Sequence, residues 1–199
     1  LYQRAGVDIT TVTDSRSITR LPTITRQDLT NTPLAQRTAR NIGLKSCIAT
    51  TTSGSTGTPV TTLREPRAVS YRYALWLRHF WAYGVRPSHK SCVSIPGPAE
   101  DSVLFSTGGL WGFALRRKMR PVSLAADVRD SHRFISKWKP DLLVAPPSFF
   151  RALIRVCEER QQGLSFKVAC TTGEMLDSST RKLIGDRFQA EVFSSYGLS

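Results

Sequence analysis

The sequence has no C-x-x-C pair, few histidines and no run of about 20 apolar residues. The first two features disfavour a disulfide-rich or metal-binding protein, and the third disfavours a membrane-spanning one. Its four cysteines lie far apart, and its three histidines show no ligand spacing to them. The pattern favours free, buried thiols over a disulfide framework or a metal site, as is typical of a cytoplasmic protein. The lack of a long apolar run predicts that no segment spans a membrane.

Acidic residues are also scarce. The chain has 15 Asp and Glu against 28 Lys and Arg, which gives a formal net charge of +13. No carboxylate occurs between Asp28 and Glu65. This balance predicts a polyanionic partner, and nucleic acid, an anionic membrane surface and a phosphate-rich molecule such as ATP or coenzyme A all satisfy it.

The pattern of apolar residues predicts the fold class. The chain has 199 residues, of which 40% are hydrophobic, enough for one sizeable core or part of a larger one. Short apolar runs that are typical of strands alternate with helical patterns, and this alternation predicts an α/β fold with mainly parallel sheets flanked by helices. The predicted strands are KSCIAT, VTTL, SCVSIPG, DLLVAPPS, FKVACTTGE and AEVFSSYG. The predicted helices are residues 66–83, LWGFALRRKM, FFRALIRVCEERQQG and SSTRKLIGDRF.

Two finer expectations follow from the same pattern. Residues 1–44 are polar and irregular, with a short helix that begins after a Thr25 or Asp28 cap. The helix over residues 66–83 is expected to bury one apolar stripe and to end at Gly84. The stripe consists of Val69, Tyr73, Trp76, Leu77 and Phe80.

The stretch TTTSGSTGTPV, residues 50–60, consists of Thr, Ser and Gly apart from Pro59 and Val60. Gly54 and Gly57 permit positive φ angles, so consecutive N–H groups can turn inward and bind an anion, while the hydroxyls donate further hydrogen bonds. A flexible Ser/Gly linker is the alternative. Such a linker requires neither Pro59 nor the strand-like runs on both sides. A Walker loop is excluded because the stretch has no Lys.

Three junctions between a predicted strand and the loop after it have sequences that are unusual for ordinary loops. They are residues 52–59, 145–148 and 171–174, and residues 195–199 are grouped with the third. In parallel α/β sheets, ligands bind in the crevice beyond the carboxyl ends of the strands. These junctions are therefore the candidate ligand site.

Five motifs resemble those of the acyl-adenylate-forming (AMP-binding) enzymes, in the family's order. TSGSTGTPV resembles the phosphate-binding signature of the family. The other motifs most resemble the branch of phenylacetate–coenzyme A ligases, which also includes coenzyme F390 synthetases and proteins of capsule synthesis. These other motifs are LFSTGGLWGF, KPDLLVAPPSFFRAL, TTGEML and SSYGLS. The N-terminal LPTITRQDL also resembles the Leu-Pro segment of this branch.

The resemblance implies that the chain is a fragment. Residues 45–199 would be part of the large N-terminal AMP-binding α/β domain, after an irregular segment over residues 1–44. The rest of that domain and the mobile C-terminal domain, which carries the catalytic Lys, would be absent. The chain would cover less than half of a full enzyme.

The resemblance also implies roles for three groups of residues. The β- and γ-phosphates of ATP would be held by Thr52, Ser53, Gly54, Ser55, Thr56, Gly57, Thr58 and Pro59. The adenine, ribose and α-phosphate would lie near Gly173, Glu174, Tyr196, Gly197, Leu198 and Ser199, with Tyr196 stacked on the adenine. The acyl pocket would be lined by Phe105, Gly108, Gly109 and Ser148, with Ser148 nearest the nucleotide.

The implied reaction is the activation of an aryl or acyl carboxylic acid. ATP and Mg²⁺ would convert the acid to an acyl-adenylate, and coenzyme A would open it to a thioester. The chain departs from the family at Met175, where Pro is common, and at Thr58, where many members have Lys. The acidic residue that positions Mg²⁺ would follow Ser199, so this chain is assigned no metal ligand and no certain catalytic residue. We therefore expect the chain alone to be inactive in adenylation.

Two alternatives come from other functional classes. One is a remnant that binds nucleotide without chemistry. The other is a basic nucleic-acid-binding module, suggested by YRYALWLRHFW and RRKMR. A helix with one apolar stripe explains the first stretch, and cations at a helix C-terminus explain the second. Nucleic acid is therefore not the expected partner.

Overall fold

In the computed structural model of the chain, residues 6–38, 42–51, 60–97 and 117–195 are described. The chain divides into two compact units, Leu1–Pro66 and Arg67–Ser199. Among the described residues, no helix is both long enough and apolar enough to cross a membrane.

The first unit contains a short capped helix and a β-hairpin. The helix begins after Thr25, whose Oγ1 accepts from the N–H of Asp28 at 3.2 Å, while the Asp28 carboxylate accepts from the Thr25 N–H at 2.8 Å. This reciprocal capping box confirms the expected helix start. The two strands are antiparallel, and Thr51 pairs with Thr61 where the hairpin opens. The elements are α1 (Arg26–Asn31), α2 (Leu34–Arg37), β1 (Ile48–Thr51), β2 (Thr61–Arg64) and 3₁₀ turns at Ile9–Thr11, Ser17–Arg20 and Leu44–Ser46.

The second unit is built on a five-stranded parallel sheet, which confirms the predicted α/β class. Its strands are β3 (Ser91–Ile95), β4 (Met119–Ser123), β5 (Leu142–Ala145), β6 (Val168–Thr172) and β7 (Glu191–Ser195), in the spatial order β4-β3-β5-β6-β7. The described helices that belong to this unit or lead into it are α3 (Pro66–Ala82), α4 (Val128–Trp138), α5 (Pro147–Glu159) and α6 (Ser178–Phe188).

The central strand β5 is buried on both faces, so it contributes to two apolar clusters. Leu143 lies in one cluster with Leu153 of α5, and Leu142 lies in the other with Phe80 of α3. Successive strand residues point to opposite faces, which explains why neighbours in the sequence join different clusters. The continuous apolar run LLVA is the sequence signal for such a strand.

Two elements of the second unit were not predicted. Residues 110–119 were expected to form a helix. Arg117 and Lys118 are helical, but Met119 already begins the edge strand β4, and residues 110–116 lie outside the described part of the chain. The sequence did not predict β4, because Pro121 argues against a strand. An edge strand tolerates proline, because on its unpaired side no N–H is needed to donate to a neighbouring strand. The helix α4 was missed because its residues are mainly polar, with Ile135 among its few buried side chains.

The helix α3 ends as predicted, but its apolar residues are not confined to one face. Gly84 has φ +75°, and the Val85 N–H donates to the Phe80 carbonyl at 2.9 Å, which closes the helix at this glycine. Val69 is buried, as is Phe80, whereas Trp76 and Leu77 are each 38% exposed. The opposite face also carries large apolar side chains, Tyr71 and Leu75. The prediction of a single apolar stripe is therefore wrong, because α3 carries large apolar side chains on more than one face.

Candidate functional site

The strand order of the parallel sheet reverses next to β3. The chain passes from β3 to β4 on one side, then crosses to β5 on the other side of β3. Ligands bind beyond the carboxyl ends of strands at such a point. The residues that follow β5 and β6 at this edge are 146–148 and 173–174, which are two of the predicted junctions.

The start of α5 places backbone donors at this edge. Pro146 is the N-cap and Pro147 the first helical residue, and their fixed φ angles suit a helix start. Neither proline has a backbone N–H, and the N-cap makes no side-chain hydrogen bond. The N–H of Ser148 is thus the first backbone donor of the helix, and it has no partner within the helix.

Glu174 supplies the acceptor for that donor. Its Oε2 accepts from the Ser148 N–H at 2.9 Å, and its Oε1 accepts from the Ser148 Oγ at 2.6 Å. Hydrogen bonds to a carboxylate are short and strong, and the positive end of the helix dipole favours the negative charge there. Both residues are exposed, so the pair is open to a ligand.

Gly173 makes this contact geometrically possible. Its φ of +81° lies in the left-handed region, where the chain turns sharply after β6. A Cβ at this position would meet no atom within 4 Å, so the backbone angle, and not the space, requires glycine. An L-residue at position 173 would strain the turn that presents Glu174.

The turn is fixed at its other end by the start of α6. Asp177 is the N-cap and accepts from the N–H and the Oγ1 of Thr180, each at 2.7 Å. Hydrogen bonds from Ser179 and Thr180 hold the pKa of the Asp177 carboxyl well below its usual range. Between these anchors, Leu176 packs against the core, while the Met175 side chain is 92% exposed.

A cleft of about 560 Å³ lies at the opposite edge of the sheet, before β5 and β6. Its lining includes Lys139, which caps α4, and Lys167, whose Nζ lies 2.9 Å from the Asp141 carboxylate. The C-terminal ends of α4 and α6 converge there, and cations complement these helix ends. The lysines therefore have a structural explanation, and we place the candidate site at the carboxyl edge.

The two buried cysteines are not activated as nucleophiles. All four are free thiols, as predicted, but only Cys92 and Cys170 are buried, whereas Cys47 and Cys157 are half-buried. Burial raises the pKa of Cys92 to about 12 and that of Cys170 to about 11, so both remain protonated near neutral pH. In the described part of the chain, no group of three or more His, Cys, Asp or Glu could hold a metal ion.

The structure brings together three of the predicted site residues: Ser148, Gly173 and Glu174. The sequence assigned Ser148 to the acyl pocket and Glu174 to the adenine turn, and it carried no signal that the two side chains meet. The other predicted residues lie outside the described part of the chain and stay predictions. They are residues 52–59 and 196–199, together with Phe105, Gly108 and Gly109, which lie within the undescribed residues 98–116.

Solved structures of coenzyme A ligases resemble this chain. The match to 2-hydroxyisobutyryl-CoA ligase, in an open conformation with 2-HIB-AMP and CoA, has a TM-score of 0.75 at 19% identity, and covers 99% of this chain and 47% of that chain. This chain has the same fold. The predicted α/β fold, that of part of a ligase domain, is therefore confirmed.

Two further ligases give weaker matches. An anthranilate CoA ligase in complex with anthranoyl-AMP matches with a TM-score of 0.54 at 18% identity, over 75% of this chain and 29% of that chain. A long-chain-fatty-acid-CoA ligase from Archaeoglobus fulgidus has a TM-score of 0.51 at 15% identity, over 75% of this chain and 31% of that chain. This chain thus spans less than half the length of the ligases that it matches. No protein-family model and no curated protein matches its sequence.

Proposed function

We propose that this chain belongs to an enzyme that uses ATP to activate a carboxylic acid as an acyl-adenylate and then forms a thioester with coenzyme A. The observation that carries the proposal is the contact between Ser148 and Glu174 at the carboxyl edge of the parallel sheet. The same fold occurs in ligases that were solved with acyl-adenylates bound. The two residues are those to which the sequence motifs assigned the acyl and nucleotide sides of the site.

Charge decides which part of the nucleotide lies beside Glu174. Its carboxylate already accepts the first N–H of α5, so this helix start has no free donor for a phosphate at Ser148 and repels one instead. The uncharged base and ribose fit here, because their hydroxyl and amine groups can donate to the remaining lone pairs of the carboxylate. We assign the phosphates to the acid-free loop of residues 52–59.

In the proposed reaction the acid's carboxylate attacks the α-phosphorus, pyrophosphate leaves, and a thiol displaces AMP from the acyl-adenylate. Two anions must approach each other, so the site must neutralise charge, and the excess of 13 positive charges suits this task. Mg²⁺ would supply part of this neutralisation. The described residues provide no set of ligands for it, and we route no step through it.

The substrate that we propose is an aryl or acyl acid of the phenylacetate type. This finer assignment rests on the motifs around Phe105 and Ser148, which resemble the phenylacetate–coenzyme A ligase branch. We also propose a cytoplasmic location, because the four cysteines are free thiols.

Calorimetric titration of the 199-residue chain with ATP and AMP tests the nucleotide site. We expect saturable binding of both, and weaker binding after Glu174→Gln, since the amide cannot accept from Ser148 with both of its terminal atoms. Glu191→Gln is the matched control, because Glu191 is exposed at the amino end of β7, away from the candidate site. Absence of saturable binding, or equal loss in both variants, would contradict the proposal.

Acid-dependent exchange of pyrophosphate into ATP tests the chemistry. We expect none from the 199-residue chain, because the motifs assign no certain catalytic residue to it. Robust exchange by this chain would show that the expectation of inactivity is wrong. A longer polypeptide that contains this chain should catalyse exchange with its acid substrate, and failure with a broad panel of acids would favour a nucleotide-binding remnant.

A further inference from the structure

The two edges of the parallel sheet differ in charge. At the carboxyl edge, the described connections that follow the strands are residues 96–97, 124–127, 146 and 173–177. They contain no Lys or Arg and three acids, Asp127, Glu174 and Asp177. At the amino edge, where the strands begin, the described connections that lead into them are residues 83–90, 117–118, 139–141, 160–167 and 189–190.

The amino edge is strongly basic. Its connections contain one acid, Asp141, and seven cations: Arg86, Lys90, Arg117, Lys118, Lys139, Arg160 and Lys167. Clustered cations on one surface create a positive potential that attracts anions. This surface lies at the opposite edge of the sheet from the proposed nucleotide site.

The register of the strands aligns several of these cations. Ser91 pairs with both Met119 and Leu142, and Leu142 pairs with Val168. The residues directly before these four therefore stand side by side, in the order Lys118, Lys90, Asp141 and Lys167. Neighbouring strands lie about 4.8 Å apart, so the row spans about 14 Å. The cleft of about 560 Å³ opens beside it, with Lys139 in its lining.

The acids at this edge do not cancel its charge. Asp141 accepts from the Lys90 N–H and pairs with the Lys167 Nζ, each at 2.9 Å, so one lysine already balances this carboxylate. A second acid, Glu191, begins β7 at the end of the sheet beyond β6. Three cations are exposed and form no ion pair in the described part of the chain: Lys118, Lys139 and Arg160.

Helix ends account for only part of this charge. The helices α3, α4, α5 and α6 end before connections of the amino edge, and a helix C-terminus carries about half a negative charge. Seven cations less Asp141 and Glu191 leave five net positive charges, and four helix ends offset about two of them. Complementing the helix ends therefore does not explain the whole row.

The composition of the edge selects the kind of partner. The described connections of the amino edge contain no exposed large apolar side chain. A membrane surface is bound through apolar groups that enter the lipid, and the centre of a protein–protein interface is apolar. Nucleic-acid interfaces are instead polar and strongly positive. The amino edge thus matches a phosphate backbone better than it matches lipid or protein.

We propose that the amino edge of the parallel sheet binds the phosphate backbone of a single-stranded nucleic acid, independently of its sequence. Lys118, Lys139 and Arg160 contact the phosphates, and the flexible backbone of a single strand follows the row. The proposal does not depend on the nucleotide site at the other edge. Nucleic acid was not expected from the sequence, since these cations come from segments that are far apart in the chain.

Fluorescence anisotropy of a labelled oligothymidylate, titrated with the full chain, tests the proposal. We expect saturable binding that weakens with salt, because each phosphate contact releases counterions. For three contacts, the logarithm of the association constant should fall with the logarithm of salt concentration with a slope of about −2. Lys118→Gln and Lys139→Gln should each reduce the steepness of this slope by about 0.7.

Lys182→Gln is the matched control, since it removes the same charge from an exposed position in the middle of α6. It should leave the slope unchanged. Absence of saturable binding, or an equal effect of Lys182→Gln, would overturn the proposal, because the amino edge would then have no special part in binding.

Two further ligands separate the alternatives. AMP should not displace the oligothymidylate, and displacement would place the strand in the nucleotide site instead of at the amino edge. Vesicles that contain phosphatidylserine should bind less tightly than the oligothymidylate. Tighter binding of the vesicles, lost in the same two lysine variants, would identify lipid as the partner and overturn the proposal. Failure of AMP to bind, with the oligothymidylate bound as expected, would contradict only the proposed function.

Discussion

The carboxylate of Glu174 accepts two hydrogen bonds from Ser148, one from the backbone N–H at 2.9 Å and one from Oγ at 2.6 Å. The two residues are 26 positions apart, which is also the offset at which β5 pairs with β6, from Leu142 with Val168 to Ala145 with Thr171. The parallel register thus continues beyond the strands and sets Ser148 beside Glu174. The contact joins the start of α5 to the turn after β6.

Breaking this contact should lower stability modestly. Ser148→Ala removes the hydroxyl but keeps the N–H, so we expect a loss of about 0.5–1.5 kcal/mol in the free energy of unfolding. Glu174→Ala should cost more, because it removes both acceptors and the charge at the helix start. Urea unfolding measures both effects.

The matched control for Ser148 is Ser165→Ala, an exposed serine on the loop before β6, which should change stability little. A double-mutant cycle of Ser148→Ala with Glu174→Ala then isolates the coupling. Additive effects of the two substitutions would show that the Ser148 hydroxyl is not coupled to Glu174 in solution.

Truncation of Leu153 should strongly destabilise the second unit. Leu153 of α5 is fully buried in the cluster that also contains Phe150 and Phe188. Leu153→Ala leaves a cavity, and we expect a loss of about 2–5 kcal/mol in the free energy of unfolding. Leu183→Ala on α6 is the control, because that side chain is 37% exposed and should cost clearly less. If chemical denaturation shows equal losses in the free energy of unfolding for the two variants, the buried position of Leu153 on α5 is wrong.

The cap of α6 should make stability depend on pH in the acid range. Hydrogen bonds lower the folded-state pKa of Asp177, so the carboxylate form stabilises the folded state. This contribution is complete above the unfolded-state pKa of about 3.9 and is lost as the pH falls towards the folded-state pKa. Urea midpoints at several pH values should show the advantage over Asp177→Ala constant near neutrality and shrinking below about pH 4. An advantage that grows on acidification would refute this origin.

The thiols should differ in reactivity according to burial. Cys92 and Cys170 are buried with raised pKa values, about 12 and about 11, whereas Cys47 and Cys157 are only half-buried. A thiol reagent at pH 8 should modify Cys47 and Cys157 first, and the buried pair should react only when the chain unfolds. Peptide mass spectrometry after timed labelling identifies each site. Rapid modification of Cys92 in the native chain would contradict the predicted position of β3 inside the sheet.

The sequence alone determined the α/β class and most of the central elements. Runs such as LLVA and VACTT are apolar enough to be buried on both faces, and the helix after Asp177 was expected at 178–188, where it lies. Local pattern determines these elements because burial on both faces leaves few alternatives. The motifs also place Ser148, Gly173 and Glu174 just after strand ends.

Tertiary structure decided what local pattern does not encode. The strand β4 contains Pro121 and becomes a strand only because an edge position tolerates proline. The strand order and the pairing of β5 with β6 are long-range choices, since a register is set by how two distant segments pack. Only that pairing brings the Ser148 hydroxyl to the Glu174 carboxylate and leaves Met175 exposed beside them. The sequence supplied the site's side chains, and the register of two parallel strands brought them together.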